Sequence, residues 1–160
     1  MSYQEKKTAV TVILGVILLV AYCLFILPQY QLGVNSEDLK FWASSILTFI
    51  GISIIVNIII QIGFHISLAI SIAINERTGN EDHINKKIKL EMVEDERDHI
   101  IELKSLRFGY YFAGAGLLIS LFSLVLGYPA AIMLNILLLT FMIGSIIEGI
   151  VQYYYYRKNS

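Results

Sequence analysis

Residues 108–147, "FGYYFAGAGLLISLFSLVLGYPAAIMLNILLLTFMIGSII", contain no charged side chain and decide the fold. Gly127, Tyr128 and Pro129 divide this stretch into halves of about twenty residues, the length of apolar α-helix that crosses a bilayer. Proline restricts the residue before it and suits the first turn of a helix, so these three residues predict a turn. Because a helix in lipid satisfies its own backbone amides, the stretch predicts a helical hairpin with spans near 108–126 and 130–153.

Two further apolar runs precede the hairpin. The first, 8–27, follows a basic start but has no small-residue cleavage site, so we interpret it as a retained first span. The second, 41–74, would reach about 50 Å as one helix against a hydrocarbon core of about 30 Å, and must tilt, bend or protrude. The 160 residues therefore predict an all-α fold, a four-transmembrane-helix bundle forming one integral membrane domain.

Basic residues predict the orientation of these spans. The positive-inside rule places loops rich in Lys and Arg in the cytoplasm. Eleven basic residues lie on one side of the predicted spans and only Lys40 lies on the other, which predicts that both termini and the central loop are cytoplasmic. The aromatic residues Tyr30, Phe41, Trp42 and Tyr128 are then expected at the outer boundary of the membrane.

The central loop, 76–107, predicts a cytoplasmic helical stem that continues into the third span. At 100° per residue its charges form two sides, and each side is compatible with a solvated stem or with a docking surface. As a docking surface for a cytoplasmic or membrane protein, the acidic side would bind a basic partner, and the basic side would bind anionic membrane lipids or a second protomer. The acidic side repels nucleic acid. The acidic side comprises Glu91, Asp95, Asp98 and Glu102, and the basic side comprises Arg97, Lys104 and Arg107.

Polar residues within the spans form the other candidate site. Asn57, Gln61 and His65 recur every four residues on one face of the second span. Glu148 lies six residues, or about 9 Å, inside Tyr154, at a depth where His65 is expected to meet it. The cluster is either a set of interhelical hydrogen bonds or the lining of a polar path. The two side chains lack further ligands for a metal ion.

Small residues predict where helices approach closely. Gly109 and Gly114 in the third span, and Gly144 and Gly149 in the fourth, offer surfaces for close helix contact. Two such faces, together with a stem whose sides carry opposite charge, predict at least a homodimer.

Sequence motifs provide no evidence for catalysis. The only cysteine, Cys23, forms no intrachain disulfide, and no phosphate-binding loop, nucleophile elbow, zinc motif or dinucleotide fingerprint is present. We therefore expect a non-enzymatic protein without a cofactor, which acts through self-association and through docking of a partner on its stem. The alternative is a small transporter or channel subunit with a polar path lined by Glu148, His65, Gln61 and Asn57.

The segment "DERDHIIELKSLRFGY", residues 95–110, resembles a D-E-R-D-x-x-I-E-x-K-x-x-R-x-x-Y motif of small bacterial four-span membrane proteins. The start "YQEKK", residues 3–7, is similar to the start of those proteins. The resemblance implies a bacterial inner-membrane location and transfers no catalytic residue. It singles out Asp95, Glu96, Arg97, Asp98, Glu102, Lys104 and Arg107.

Overall fold

A computed structural model describes residues 3–31, 38–75 and 96–158. These ranges contain four α-helices and no strand, and each helix is long and apolar enough to cross a membrane, which confirms the predicted all-α bundle. The helices are α1 (Tyr3–Gln31), α2 (Leu39–Asn75), α3 (Glu96–Val125) and α4 (Ala130–Lys158).

The helices extend beyond the predicted spans. α1 continues through Pro28 to Gln31, and α4 continues to Lys158. The 30 residues of α3 measure about 45 Å, so about ten residues exceed a core of about 30 Å. The last twelve residues of the predicted stem, 96–107, are continuous with the third span. The earlier part of the stem, including Glu91 and Asp95, lies outside the described residues.

Consecutive helices run in opposite directions. At one end Tyr22 of α1, Trp42 of α2 and Ala131 of α4 form a buried apolar cluster, here called the hairpin end. At the other, here called the terminal end, the first turns of α1 and α3 and the last turns of α4 surround one cavity with the middle of α2. The described residues nearest the two termini therefore lie at the same end of the bundle.

The α3–α4 turn closes as its residues predict. Gly127 has a φ of 86°, in the left-handed region that glycine occupies without steric cost. Its N–H donates to the carbonyl of Leu124, and the N–H of Tyr128 donates to that of Ser123, the two bonds of a Schellman helix end. The N–H of Ile132 donates to the carbonyl of Pro129, which begins α4.

α3 and α4 form the most extensive helix contact, and glycine makes it possible. An added Cβ at Gly116 would overlap the side chain of Thr140, and one at Gly144 would lie 3.2 Å from the carbonyl oxygen of Gly109. The prediction of close contact is confirmed for Gly109 and Gly144 but is wrong for Gly114, which has open space around it. Gly116 provides the contact instead because it lies seven residues, about two turns, after Gly109.

Aromatic side chains and one amide hold the hairpin end together. The hydroxyl of Tyr22 donates to Asn135 Oδ1 at 2.6 Å, and Asn135 Nδ2 donates to the hydroxyl of Tyr30 at 3.2 Å. Trp42 stacks on Tyr30 with 5.2 Å between the ring centroids. Although we expected Trp42 at the membrane boundary, its side chain is fully buried between the helices.

α2 contacts the bundle along one narrow stripe that includes Trp42, Ile46 and Phe49, and much of its remaining surface is exposed. Asp38 caps its first turn by accepting hydrogen bonds from the N–H groups of Lys40 and Phe41. Several polar side chains of α2 donate hydrogen bonds to carbonyl groups of the same helix; these are Ser44, Ser45, Thr48, Ser53 and Asn57.

Gly116→Ala should destabilise the bundle by about 1 to 3 kcal/mol, because α3 and α4 must separate to admit the methyl group. Thermal unfolding in one detergent, followed by circular dichroism, measures the effect. The matched control is Gly114→Ala on the same helix, where nothing lies within 4 Å of the new Cβ and stability should not fall. Equal losses in both variants would contradict the contact.

Candidate functional site

A polar cavity of about 270 Å³ lies at the terminal end, where all four helices contribute to its wall. Its lining combines two carboxylates, one ammonium group, four carboxamides, two threonines and a tyrosine. The lining residues are Gln4, Lys7, Thr8, Thr11, Asn57, Ile60, Gln61, Asp98, Glu102, Gly149, Gln152 and Tyr156.

Helical periodicity explains how each helix reaches the cavity. Residues four apart lie on the same face of a helix, one turn from each other. α2 contributes Asn57 and Gln61 at this spacing, and α3 contributes Asp98 and Glu102. Corresponding pairs on the other two helices are Gln4 with Thr8 and Gln152 with Tyr156.

Gly149 permits a close approach of α1 to α4 beside the cavity. A Cβ added to Gly149 would lie 2.5 Å from a methyl carbon of Val12, and one at Gly15 would lie 3.2 Å from Ile146. The predicted role of Gly149 in helix contact is therefore confirmed, with α1 as its neighbour.

Two lining side chains each donate a hydrogen bond to a backbone carbonyl of their own helix. Asn57 Nδ2 donates to the carbonyl of Ser53 at 2.8 Å, and the Thr11 hydroxyl donates to the carbonyl of Lys7 at 3.0 Å. The amide oxygen of Asn57 and the lone pairs of the Thr11 oxygen consequently stay available as acceptors.

The acidic side of the predicted stem faces this cavity in its described part. Asp98 and Glu102 line the cavity, and Glu102 remains 52% exposed with His99 Nδ1 at 3.8 Å from its carboxylate. The basic residues Lys104 and Arg107 are exposed and do not line the cavity, and Arg97 is exposed as well. The two sides predicted from spacing thus have different surroundings.

The predicted intramembrane cluster is divided by the structure. Asn57 and Gln61 line the cavity, whereas His65 is exposed and lies outside its lining. Glu148 is half-buried and packs against α3, where its carboxylate oxygen would be 2.5 Å from a Cβ at Gly109. Within the described ranges, no hydrogen bond or ion pair joins His65 to Glu148.

A second cavity of about 250 Å³ lies between α2 and the pair α1 and α4. Asn57 lines both cavities, so they adjoin at this residue. Ser53 and Ser145 are the other polar side chains in the second lining, which is otherwise mostly apolar, with Leu138 and Met142 among its members.

The sequence interpretation missed the cavity residues of α1 and α4, which are Gln4, Lys7, Thr8, Thr11, Gln152 and Tyr156. They resemble ordinary residues of a membrane boundary, where polar and aromatic side chains are common. The signal that identifies them is the four-residue spacing of polar groups on both helices, at ends that the predicted topology places on the same side.

Among the residues that the structure describes, no three His, Cys, Asp or Glu side chains are grouped to hold a metal ion. Comparison of the chain with models of protein families, with curated proteins and with solved structures finds no match.

Glu148→Gln should leave the thermal midpoint unchanged or raise it by up to about 3 °C. The amide keeps the shape that packs against Gly109 and removes a charged group from a half-buried position. Thermal unfolding of both proteins in the same lipid nanodisc measures this. Glu96→Gln, at an exposed position of α3, is the control for loss of one charge. A clear fall in the midpoint for Glu148→Gln alone would show that the bundle requires the ionised carboxylate.

Proposed function

We propose that this chain is a non-enzymatic integral membrane protein that self-associates and docks an acidic protein partner on the exposed side of residues 96–107. The observation that carries the proposal is the division of this segment into a buried side and an exposed side. Ile101 and Ser105 are 3% and 0% exposed, which fixes one side within the bundle.

The exposed side has the pattern of a helical docking surface. Ile100 and Leu103 are 45% and 49% exposed, and Lys104 and Arg107 are exposed beside them. These four residues, here called the docking surface, follow the spacing i, i+3, i+4, i+7 and share one face of α3. A continuous apolar and basic stripe of this kind suits an amphipathic helix with acidic residues along its apolar face.

The charge of the partner follows from where the acidic residues lie. The sequence allowed an acidic side that attracts a basic partner, but Asp98 and Glu102 line the cavity. The two cations of the docking surface favour an acidic partner. A protein is favoured over a lipid headgroup because α3 exceeds the hydrocarbon core by about 15 Å, which allows Ile100 and Leu103 to lie beyond the bilayer.

Support for self-association comes from α2. Gly109 and Gly144 pack between α3 and α4, and Gly149 packs against α1, so these glycines no longer require a second copy. α2 instead leaves a broad exposed surface that carries His65. A polar side chain on a membrane helix favours a second helix with which it can form a hydrogen bond.

We place the protein in a bacterial inner membrane as a multi-pass protein with both termini cytoplasmic. Support for the orientation comes from the eleven basic residues on one side of the spans. The start of α1 and the last turns of α4 both lie at the terminal end, which is consistent with termini on the same side of the membrane.

The alternative proposal is a small transporter or channel subunit. Two adjoining cavities with Asn57 in both linings favour it, because polar cavities between membrane helices are where solutes bind in transporters. Of the four residues expected along a polar path, Asn57 and Gln61 line these cavities, while His65 and Glu148 lie outside them.

Cysteine labelling in a Cys23→Ser background tests the orientation. A cysteine introduced at Asn80 should react with a membrane-impermeant maleimide only after the cells are opened, because the central loop is proposed to be cytoplasmic. A cysteine at Ser36, in the connection between α1 and α2, is the matched control and should react from outside. Labelling of position 80 in intact cells would overturn the orientation.

Native mass spectrometry tests docking and self-association together. The probe is a synthetic amphipathic helix with glutamates flanking a row of leucines, and Lys104→Glu with Arg107→Glu should weaken its binding at least about tenfold. Asp98→Asn, on the cavity side of the same segment, should not weaken it.

The same spectra count protomers, and we expect two or more in mild detergent. Monomer alone across several detergents would contradict self-association. Equal peptide binding by the wild type and the charge-reversed variant would contradict the docking surface.

A further inference from the structure

We infer that the polar cavity at the terminal end is a binding site for a small organic cation with a primary ammonium group. This site lies on the opposite side of residues 96–107 from the docking surface, so it does not depend on the proposed docking function.

The charge of the lining favours a cation. Asp98 and Glu102 oppose the single cation Lys7, which leaves a formal charge of −1. In the part of the chain that is described, Lys7 forms no ion pair within 4 Å of either carboxylate. A cavity lined by one predominant sign of charge concentrates ligands of the opposite sign.

The hydrogen-bonding state of the lining favours a donor as ligand. Thr11 has used its one donor on a backbone carbonyl, Asn57 has used one of its two, and both present oxygen acceptors. Ionised carboxylates are acceptors only. A primary ammonium group supplies three N–H donors, and its hydrogen bonds to carboxylates are stronger than those between neutral groups.

Thr8 is an independent indication that the cavity is built to be filled. The residue is only 7% exposed and lines the cavity, and its side chain forms no hydrogen bond within the described residues. In those residues, every side-chain polar atom that is inaccessible has a hydrogen-bond partner. The Thr8 hydroxyl has no such partner, so its oxygen must be accessible from the open space of the cavity. A nearly buried hydroxyl that faces this space is satisfied by a molecule within it.

The size and lining of the cavity favour an organic ion over a metal ion. Its volume of about 270 Å³ is many times the space that one water molecule or one bare metal ion requires. Ile60 and Gly149 give part of the wall an apolar surface that suits a short carbon chain. The 52% exposure of Glu102 shows that solvent reaches the wall, which provides access for a ligand.

Calorimetric titration of the full chain in phosphatidylcholine nanodiscs tests the site. The probes are n-propylammonium, tetramethylammonium, which carries the same charge without N–H donors, and K⁺. We expect saturable binding of n-propylammonium with a Kd at least about tenfold below that of either other ion, since only n-propylammonium donates to the lining.

Three variants locate the binding. Glu102→Gln and Asp98→Asn should each raise the Kd of n-propylammonium about tenfold, through loss of a charge-assisted hydrogen bond. Thr8→Val, which keeps the shape of the side chain, should raise it about threefold without affecting tetramethylammonium. Lys104→Gln, on the docking surface, is the control and should leave the Kd unchanged. A thermal melt of each variant establishes that it is folded.

The inference is overturned if n-propylammonium shows no saturable binding to the wild type, or if tetramethylammonium or K⁺ binds as tightly. It is also overturned if folded Glu102→Gln and Asp98→Asn bind as the wild type does. These outcomes are independent of the peptide experiment, so failure of the cation site and failure of the docking surface are distinguishable.

Discussion

The close approach of α3 to α4 at Gly116 is the constraint on which the rest of the structure depends. Lipid tails are as apolar as leucine, so membrane helices gain little from apolar burial and associate through tight packing. Thr140 occupies the space where any larger residue at position 116 would place its Cβ. The resulting contact fixes the rotation of α3 about its axis. This rotation directs Asp98 and Glu102 into the cavity and leaves Lys104 and Arg107 outside.

The two ends of the bundle accommodate buried polar side chains in different ways. At the hairpin end, Asn135 joins the hydroxyls of Tyr22 and Tyr30, and the Tyr30 ring stacks on Trp42. At the terminal end, polar side chains from four helices surround open space. The first arrangement is suited to stability, since the buried amide of Asn135 and the hydroxyl of Tyr22 have fixed partners. The second is suited to binding, and both function proposals for the bundle interior concern this end.

Much of the architecture follows from the sequence alone, because span length and charge are properties of one segment at a time. The uncharged stretch 108–147 and its Gly127 turn predict the hairpin directly. Contacts between helices depend on their relative rotation, which periodicity does not determine. Gly109, Gly114 and Gly116 are all small, yet packing selects only two of them.

The same limit applies to the candidate site. The sequence predicts a common depth for His65 and Glu148, but depth does not specify which face of each helix points toward the other. Glu148 points toward α3, a helix whose contribution at that level is the small surface of Gly109. Asn57 and Gln61 were identified correctly as polar groups of one face, while Lys7 and Gln152 became recognisable only when three helix ends and the middle of α2 were brought together.

The hydrogen bonds that α2 forms with its own backbone bear on how this helix enters the membrane. Ser53 and Asn57 each donate to a carbonyl one turn earlier, so these donors are satisfied before any neighbouring helix is present. The cost of transferring α2 into hydrocarbon is therefore lower than its count of polar residues indicates. α2 is equipped to insert as an independent helix, and its later attachment to α1 and α4 requires only the packing of its narrow apolar stripe.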